Sequence, residues 1–307
     1  MSTEFALSDA AAHLRRATDV FAAVCGPSQS RPNEGSPAHA EHEEASRLGL
    51  DGMWVTELFT VVLGLTRAAV EHASAAATLL DNRQTSSIPL LARAAIEHSQ
   101  RACWLLAPAH VRDSSYTDRV TARQRAARAQ LIELDGLEHA CAALRKLRRG
   151  GGDPALAAVR YCEVGAELQA RKAAITAAFG EGIVVTGANS GWVIEQQRLT
   201  SLTRTSEWYF ETLTPGDSGR GVYDALSSWS HPSIVGIRER FEWLTGSDGG
   251  GMCVPSDMTD LISRIAPTTC STLHRNLIQV AAYFGWDEAA VERWGIALKA
   301  WTPGLLE

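Results

Sequence analysis

Residues 51–106 read DGMWVTELFTVVLGLTRAAVEHASAAATLLDNRQTSSIPLLARAAIEHSQRACWLL, and this stretch decides the fold. Val55, Leu58, Phe59, Val62 and Leu63 recur at steps of three and four, the period of a helix with one apolar face. The spacing predicts a helix from about Asp51 to Leu80, broken by Asp81-Asn82-Arg83. A second helix is predicted from about Ile88 to Leu106, with Pro89 in its first turn and Pro108 beyond its end. The two segments resemble each other: LTRAAVEHASAAATLL (65–80) and LARAAIEHSQRACWLL (91–106) agree at nine of sixteen positions with an offset of 26. Alanine-rich helices converge by chance, so coincidence and a duplicated helical hairpin both stay open; a hairpin would place its members antiparallel across the short turn.

The same grammar extends outward. A first helix is expected from Ser8, read as its N-cap, to Cys25, stopped by Gly26-Pro27. Residues 26–50 hold three prolines and no apolar period, and read as a linker. Further helices are expected over 116–149, ended by Gly150-Gly151-Gly152, and from Asp153-Pro154, an N-cap and first-turn pair, to Phe179. More follow over 201–213, 221–230, 233–244, 258–284 and 288–301, with 246–255 as a glycine-rich connection. Only 180–200, containing GEGIVVTGANSGWVIE, is rich enough in glycine and β-branched residues to suggest a short hairpin. No βαβ alternation is present. The expected architecture is all-α: an N-terminal helix (1–25), a linker (26–50) and one multi-helix bundle domain (51–307) with an irregular glycine-rich insertion near 180–200.

Composition bounds the function. The chain has 307 residues, 45% apolar and 21% charged, with net charge −6, so no global field attracts a polyanion. Six cysteines are scattered without a Cys-x-x-Cys pair, which points to reduced thiols instead of a disulfide or zinc framework. The N-terminal residues lack the basic-then-apolar order of a signal peptide, and the most apolar stretch, Met53–Leu65, is too short to span a bilayer. A cytoplasmic homo-oligomer with no membrane partner, no cofactor and no metal is expected.

Several motifs mislead. TGANSG (186–191) resembles a dinucleotide-binding turn, but Val193 stands where a further glycine is needed and no parallel sheet follows. GDSGR (216–220) resembles the nucleophile segment of two-barrel serine proteases, which a helical chain cannot build. Glu-His occurs at 41–42, 71–72, 97–98 and 138–139, yet adjacent helical residues diverge by about 100°, so these are not paired ligands. Asp135 and His139 share a face without companions, and His39 and His42 lie in the linker.

Two polar stripes remain. In VYDALSSWSHPS, Tyr223, Ser227 and His231 fall at i, i+4 and i+8, with Pro232 placing His231 at a helix C-terminus where the dipole favours its cation. On the 88–106 helix, Arg93 and Glu97 are i, i+4 neighbours among apolar residues, and Arg101 and Trp104 continue that line. A partly buried ion pair is weak evidence of stability, which makes this one a candidate for positioning a ligand; an ordinary helix-surface pair is the competing account.

RAAIEHSQRACWLL and YDALSSWSHPS together resemble uncharacterised bacterial helical proteins related to the HEPN superfamily, which pair an Arg-x-x-x-Glu helix with a Tyr-x-x-x-Ser-x-x-x-His helix. The resemblance covers about 30 residues. It implies metal-independent ribonuclease chemistry in families that carry Arg-x(4–6)-His, a spacing met by Arg93–His98 and by Arg67–His72. Active families usually have a polar residue after the arginine, where this chain has Ala94 and Ala68. The candidate catalytic residues are therefore Tyr223, Ser227, His231, Arg93 and Glu97, with His98 and Arg101 behind them. In a ribonuclease, His231 or His98 would act as base toward a 2′-hydroxyl and Arg93 would steady the phosphate. Residues 112–149 add nine Lys/Arg against five Asp/Glu, for which a helix C-terminus is a sufficient explanation. A small-molecule enzyme with a pocket between the two stripes, and a non-catalytic scaffold, are the alternatives.

Overall fold

The computed structural model describes residues 3–26, 31–47, 52–107, 121–150, 154–185, 191–213, 224, 227–228, 241–245, 251–255 and 257–303. Among them are nine helices with defined bounds: α1 (Thr3–Val24), α2 (Pro37–Arg47), α3 (Gly52–Asp81), α4 (Ile88–Leu106), α5 (Ala122–Gly150), α6 (Pro154–Phe179), α7 (Leu202–Leu213), α8 (Thr259–Phe284) and α9 (Ala289–Trp301). Five short strands complete the list: β1 (Ile183–Val185), β2 (Trp192–Ile194), β3 (Gln197–Arg198), β4 (Phe241–Thr245) and β5 (Gly251–Pro255). The all-α, multi-helix class expected from the periodicity is the class observed, and the 180–200 insertion is where β1–β3 lie.

Four local expectations are corrected. Ser8 sits inside α1, which begins at Thr3. The supposed linker contains α2. Its start signal is Ser36-Pro37: the Ser36 hydroxyl accepts the His39 backbone N–H at 3.2 Å, and proline occupies the first helical position. Residues 241–245, expected to close a helix, form β4, and 251–255, expected to be a connection, form β5; they pair antiparallel from Phe241↔Pro255 to Thr245↔Gly251. Phe-Glu-Trp-Leu-Thr fits either period, and pairing with β5 makes it a strand.

Where one bundle domain was expected, the chain divides into two compact units. The first comprises Met1–Ala40, Val62–Ser114 and Ser201–Glu307; the second comprises Glu41–Val61 and Ser115–Thr200. The first is organised on α8, which packs against α1, α4 and α9, while α7 packs on α4. Helix α1 turns Ala10, Leu14, Ala17, Val20 and Val24 inward at helical spacing. Between α4, α7 and α8, a core of Ala92, Ile96, Cys103, Tyr209, Phe210 and Ile265 is closed by Trp208 and Leu261. Thr269 and Thr272 on α8 each donate the hydroxyl to the carbonyl four residues back, at 2.9 and 2.8 Å, so these buried groups enter the packed face already satisfied.

In the second unit α5 and α6 form an antiparallel pair around Leu131, Leu134, Cys141, Leu168, Ile175 and Phe179, joined by Trp54 and Val55 of α3 and Ile194 of β2. Strands β1, β2 and β3 form a meander, with Val184 opposite Val193 and Ile194 opposite Gln197. Charges fix its polar side. Arg171 Nη1 bonds both Glu57 oxygens at 2.7 and 2.8 Å, and Gln130 Nε2 bonds Glu57 Oε2 at 2.8 Å. Arg123 donates to Glu195 at 2.6 Å and to the last carbonyls of α6, Ala178 and Phe179. These contacts cap α6 and tie the β2–β3 turn to α5.

Helix α8 ends on Gly285, whose φ of +69° is left-handed. Its N–H and that of Trp286 return to the Ala282 and Ala281 carbonyls, closing a Schellman turn. The turn is gripped by the segment before α2: Asn33 N–H donates to Phe284 O at 2.9 Å, and Trp286 Nε1 donates to Arg31 O at 3.1 Å. A Cβ on Gly285 would lie 2.8 Å from Ser36 Cβ. Gly285→Ala therefore loses on both backbone conformation and space. It is expected to lower stability by roughly 1–3 kcal/mol, read as a drop in Tm, whereas an unchanged Tm would contradict this account of the turn.

Candidate functional site

The two copies of the internal repeat lie on α3 and α4, and each carries Arg, Glu and His at equivalent places: Arg67, Glu71 and His72, then Arg93, Glu97 and His98. The copies differ in setting. Arg67 and Glu71 pair at 2.8 Å with side chains 71% and 64% exposed, an ordinary surface pair. Arg93 Nε and Glu97 Oε1 pair at 2.6 Å with side chains only 17% and 18% exposed. The Arg93–Glu97 pair is thus formed and partly withdrawn from water.

Each glutamate precedes a histidine, and the two histidines meet. The His72 and His98 rings stand 5.3 Å apart between centroids, tilted by 41°, and both are half-buried. His98 Nδ1 lies 2.6 Å from the Ala94 carbonyl. A carbonyl only accepts, so Nδ1 carries the proton and Nε2 is the nitrogen presented outward. His72 has its pKa lowered, first by burial and then by the charge of His98, with Glu71 opposing. Two imidazoles at this separation resist being cations together.

Behind His98, Ser99 and Gln100 are buried, and Ser206 of α7 donates its hydroxyl to Gln100 Oε1. Arg101 is half-buried and Trp104 buried on the same helix. Of the second stripe, Ser227 is helical and half-buried, while Tyr223 and His231 lie outside the described residues. His72 is not among the candidate residues that the sequence singles out, yet it is the one that meets His98. Its signal was present in the Arg67-x4-His72 spacing and in the repeat, but nothing local shows that the equivalent residues of the two copies touch.

After Gly191 the chain forms β2, antiparallel to β1, where a dinucleotide fold needs a helix. The GDSGR segment lies outside the described residues. Asp135 and His139 approach at 3.3 Å, with the histidine 78% exposed, and His39 and His42 ride on α2, where Glu41 is engaged by Arg125. Among the described residues no three His, Cys, Asp or Glu side chains converge as a metal-binding group, and no helix is long and apolar enough to cross a membrane. A cleft of about 500 Å³ is lined by Leu7, Ser8, Leu80, Asp81, Arg83, Asp257 and Thr259, none of them a candidate from either stripe.

No known family, no curated protein and no solved structure matches this chain.

The histidines give a pH signature. His13, His72 and His274 all have pKa values below the ordinary histidine value, with burial the leading cause in each; Asp9 opposes for His13, and for His274 a bond to the Val291 backbone opposes while Lys299 adds. A native pKa below the unfolded one means the unfolded chain binds more protons in that window. Stability is then complete above about pH 6.5 and falls as pH drops through the depressed values. Tm is expected to decrease between about pH 7 and pH 5, with a shallower slope in His274→Gln. A flat profile for the unsubstituted protein would refute the burial of these imidazoles.

Proposed function

We propose that this protein cleaves single-stranded RNA without metal, using His72 and His98 as its acid–base pair. The observation that carries this reading is the meeting of the two imidazoles, 5.3 Å apart, each contributed by one copy of an Arg-x4-His segment. Phosphodiester transesterification by side chains needs one group to take a proton and one to give it, with a cation for the charge on phosphorus. His72, held toward the neutral form, takes the proton of a ribose 2′-hydroxyl. The 2′-oxygen then attacks the adjacent phosphorus, and the 5′-oxygen of the next nucleotide leaves with the Nε2 proton of His98 in its imidazolium form, whose Nδ1–H stays on the Ala94 carbonyl. The products are a 2′,3′-cyclic phosphate and a 5′-hydroxyl, and the imidazoles end in exchanged protonation states that solvent resets. Arg93, held in a half-buried position by Glu97, is assigned to the phosphate oxygens. The HEPN resemblance supports the same chemistry, with His72 taking the place first given to His231.

The test is cleavage of labelled single-stranded RNA in the presence of a chelator. Activity is expected, with an acid limb below pH 6.5 set by His72. His72→Gln and His98→Gln should each reduce the rate by about 10²–10⁴-fold, and Arg93→Ala by about 10²-fold, with unchanged circular dichroism. Absence of cleavage by the unsubstituted protein, or full activity in both histidine variants, would overturn the reading in favour of a non-catalytic scaffold.

A further inference from the structure

Charge along this chain is segregated. Between residues 142 and 162 there are five cations (Arg145, Lys146, Arg148, Arg149, Arg160) and one acid (Asp153); five minus one leaves +4 in a protein of net charge −6. The stretch covers the end of α5 and the start of α6, and Arg145, Lys146, Arg148 and Arg160 are all exposed. Arg160 is engaged by Glu163 at 3.0 Å. Arg145 and Arg148 are arranged differently. Both sit on Tyr161, with guanidinium carbons 5.8 and 5.2 Å from the ring centroid, and Arg145 Nη2 donates to the Tyr161 hydroxyl at 3.2 Å.

Cations at a helix C-terminus are ordinarily explained by the helix dipole. That account is weak at this hairpin. The antiparallel α5–α6 pair brings the positive start of α6 beside the negative end of α5, so the two terminal fields largely cancel. What remains is a pair of guanidinium groups ordered by an aromatic ring with Lys146 beside them. An arginine ordered in this way loses less side-chain freedom when its N–H groups meet a phosphate, and its planar fork suits that partner.

We infer that Arg145, Lys146, Arg148 and Tyr161 form a docking surface for the sugar–phosphate backbone of single-stranded RNA. The inference rests on the ribonuclease reading for its choice of polyanion and adds to it a binding role for residues that the catalytic step does not use. Single strands fit because their phosphates adjust to a short run of cations and their bases are open to an aromatic edge.

The experiment measures anisotropy of a fluorescent RNA methylated at every 2′-oxygen, which removes the nucleophile so that the intact protein can bind without cutting. Arg145→Ala/Arg148→Ala is expected to bind at least 10-fold more weakly. The slope of log affinity against log salt should shrink by about 1.4, two phosphate contacts at roughly 0.7 each. Arg145→Lys/Arg148→Lys should recover most of the salt slope, and His72→Gln should bind as the unsubstituted protein does. Equal affinity and slope in the double alanine variant, with an unchanged melting curve, would overturn the docking surface and leave the catalytic reading standing. Loss of cleavage in His72→Gln with RNA binding kept separates the two roles. An unsubstituted protein that ignores the RNA but sediments with vesicles of anionic phospholipid would overturn the RNA partner.

Discussion

Asn276 on α8 and Thr66 on α3 are both fully buried and bonded to each other: Asn276 Nδ2 donates to Thr66 Oγ1 at 3.2 Å, while the threonine hydroxyl is within donating reach of Val62 O at 2.9 Å and of Asn276 Oδ1 at 3.3 Å. A buried amide without its partner costs about 1–3 kcal/mol, so sliding α3 along α8 is penalised at this point. Apolar packing alone would not fix the register so tightly, because alanine-rich faces such as those of α3 offer many near-equivalent matches. Helix α4 packs along the same α8. With both members of the repeat referred to one central helix, His72, six residues beyond Thr66, comes level with His98. The candidate site therefore depends on a polar contact that touches neither histidine.

The second unit uses the opposite strategy, with ion pairs in place of a single buried amide. Arg171, Glu57 and Gln130 interlock across α3, α5 and α6, and Arg125 pairs with Glu41 of α2. Arg128 is buried, with Nε on Gln197 of β3, and burial together with the charge of Arg125 lowers its pKa to about 10. Such networks are costly to desolvate and specify geometry more than they stabilise it. Here they locate the short β1–β3 meander, which has too few residues to hold its own place.

Local signals made most of the fold legible. Pro89 and Pro154 mark the starts of α4 and α6 to within a residue, and apolar spacing gives the full length of α3. What failed had a tertiary cause or a signal outweighed by a stronger one. Ser36-Pro37 is a sound helix start, but the prolines and glycines around it read as linker. Phe241–Thr245 carries an apolar pattern compatible with either period, and pairing with β5 decides for strand. The site was half legible. Arg93 and Glu97 follow from one helix face and His98 from the Arg-x4-His spacing, whereas the partner of His98 depends on how two helices meet. An offset of 26 residues says that the copies are alike; it does not say that they touch.

The account stands on His72 and His98 sensing each other's charge. Nuclear magnetic resonance titration of the imidazole carbons, with assignments made from the two glutamine variants, reads this without reference to any substrate. The expected result is a His72 midpoint below 6.5 that rises when His98 is replaced by glutamine, since a neutral amide removes the repulsion and leaves burial opposed by Glu71. A His72 midpoint that stays in place when His98 is replaced would contradict the pair, and with it the site.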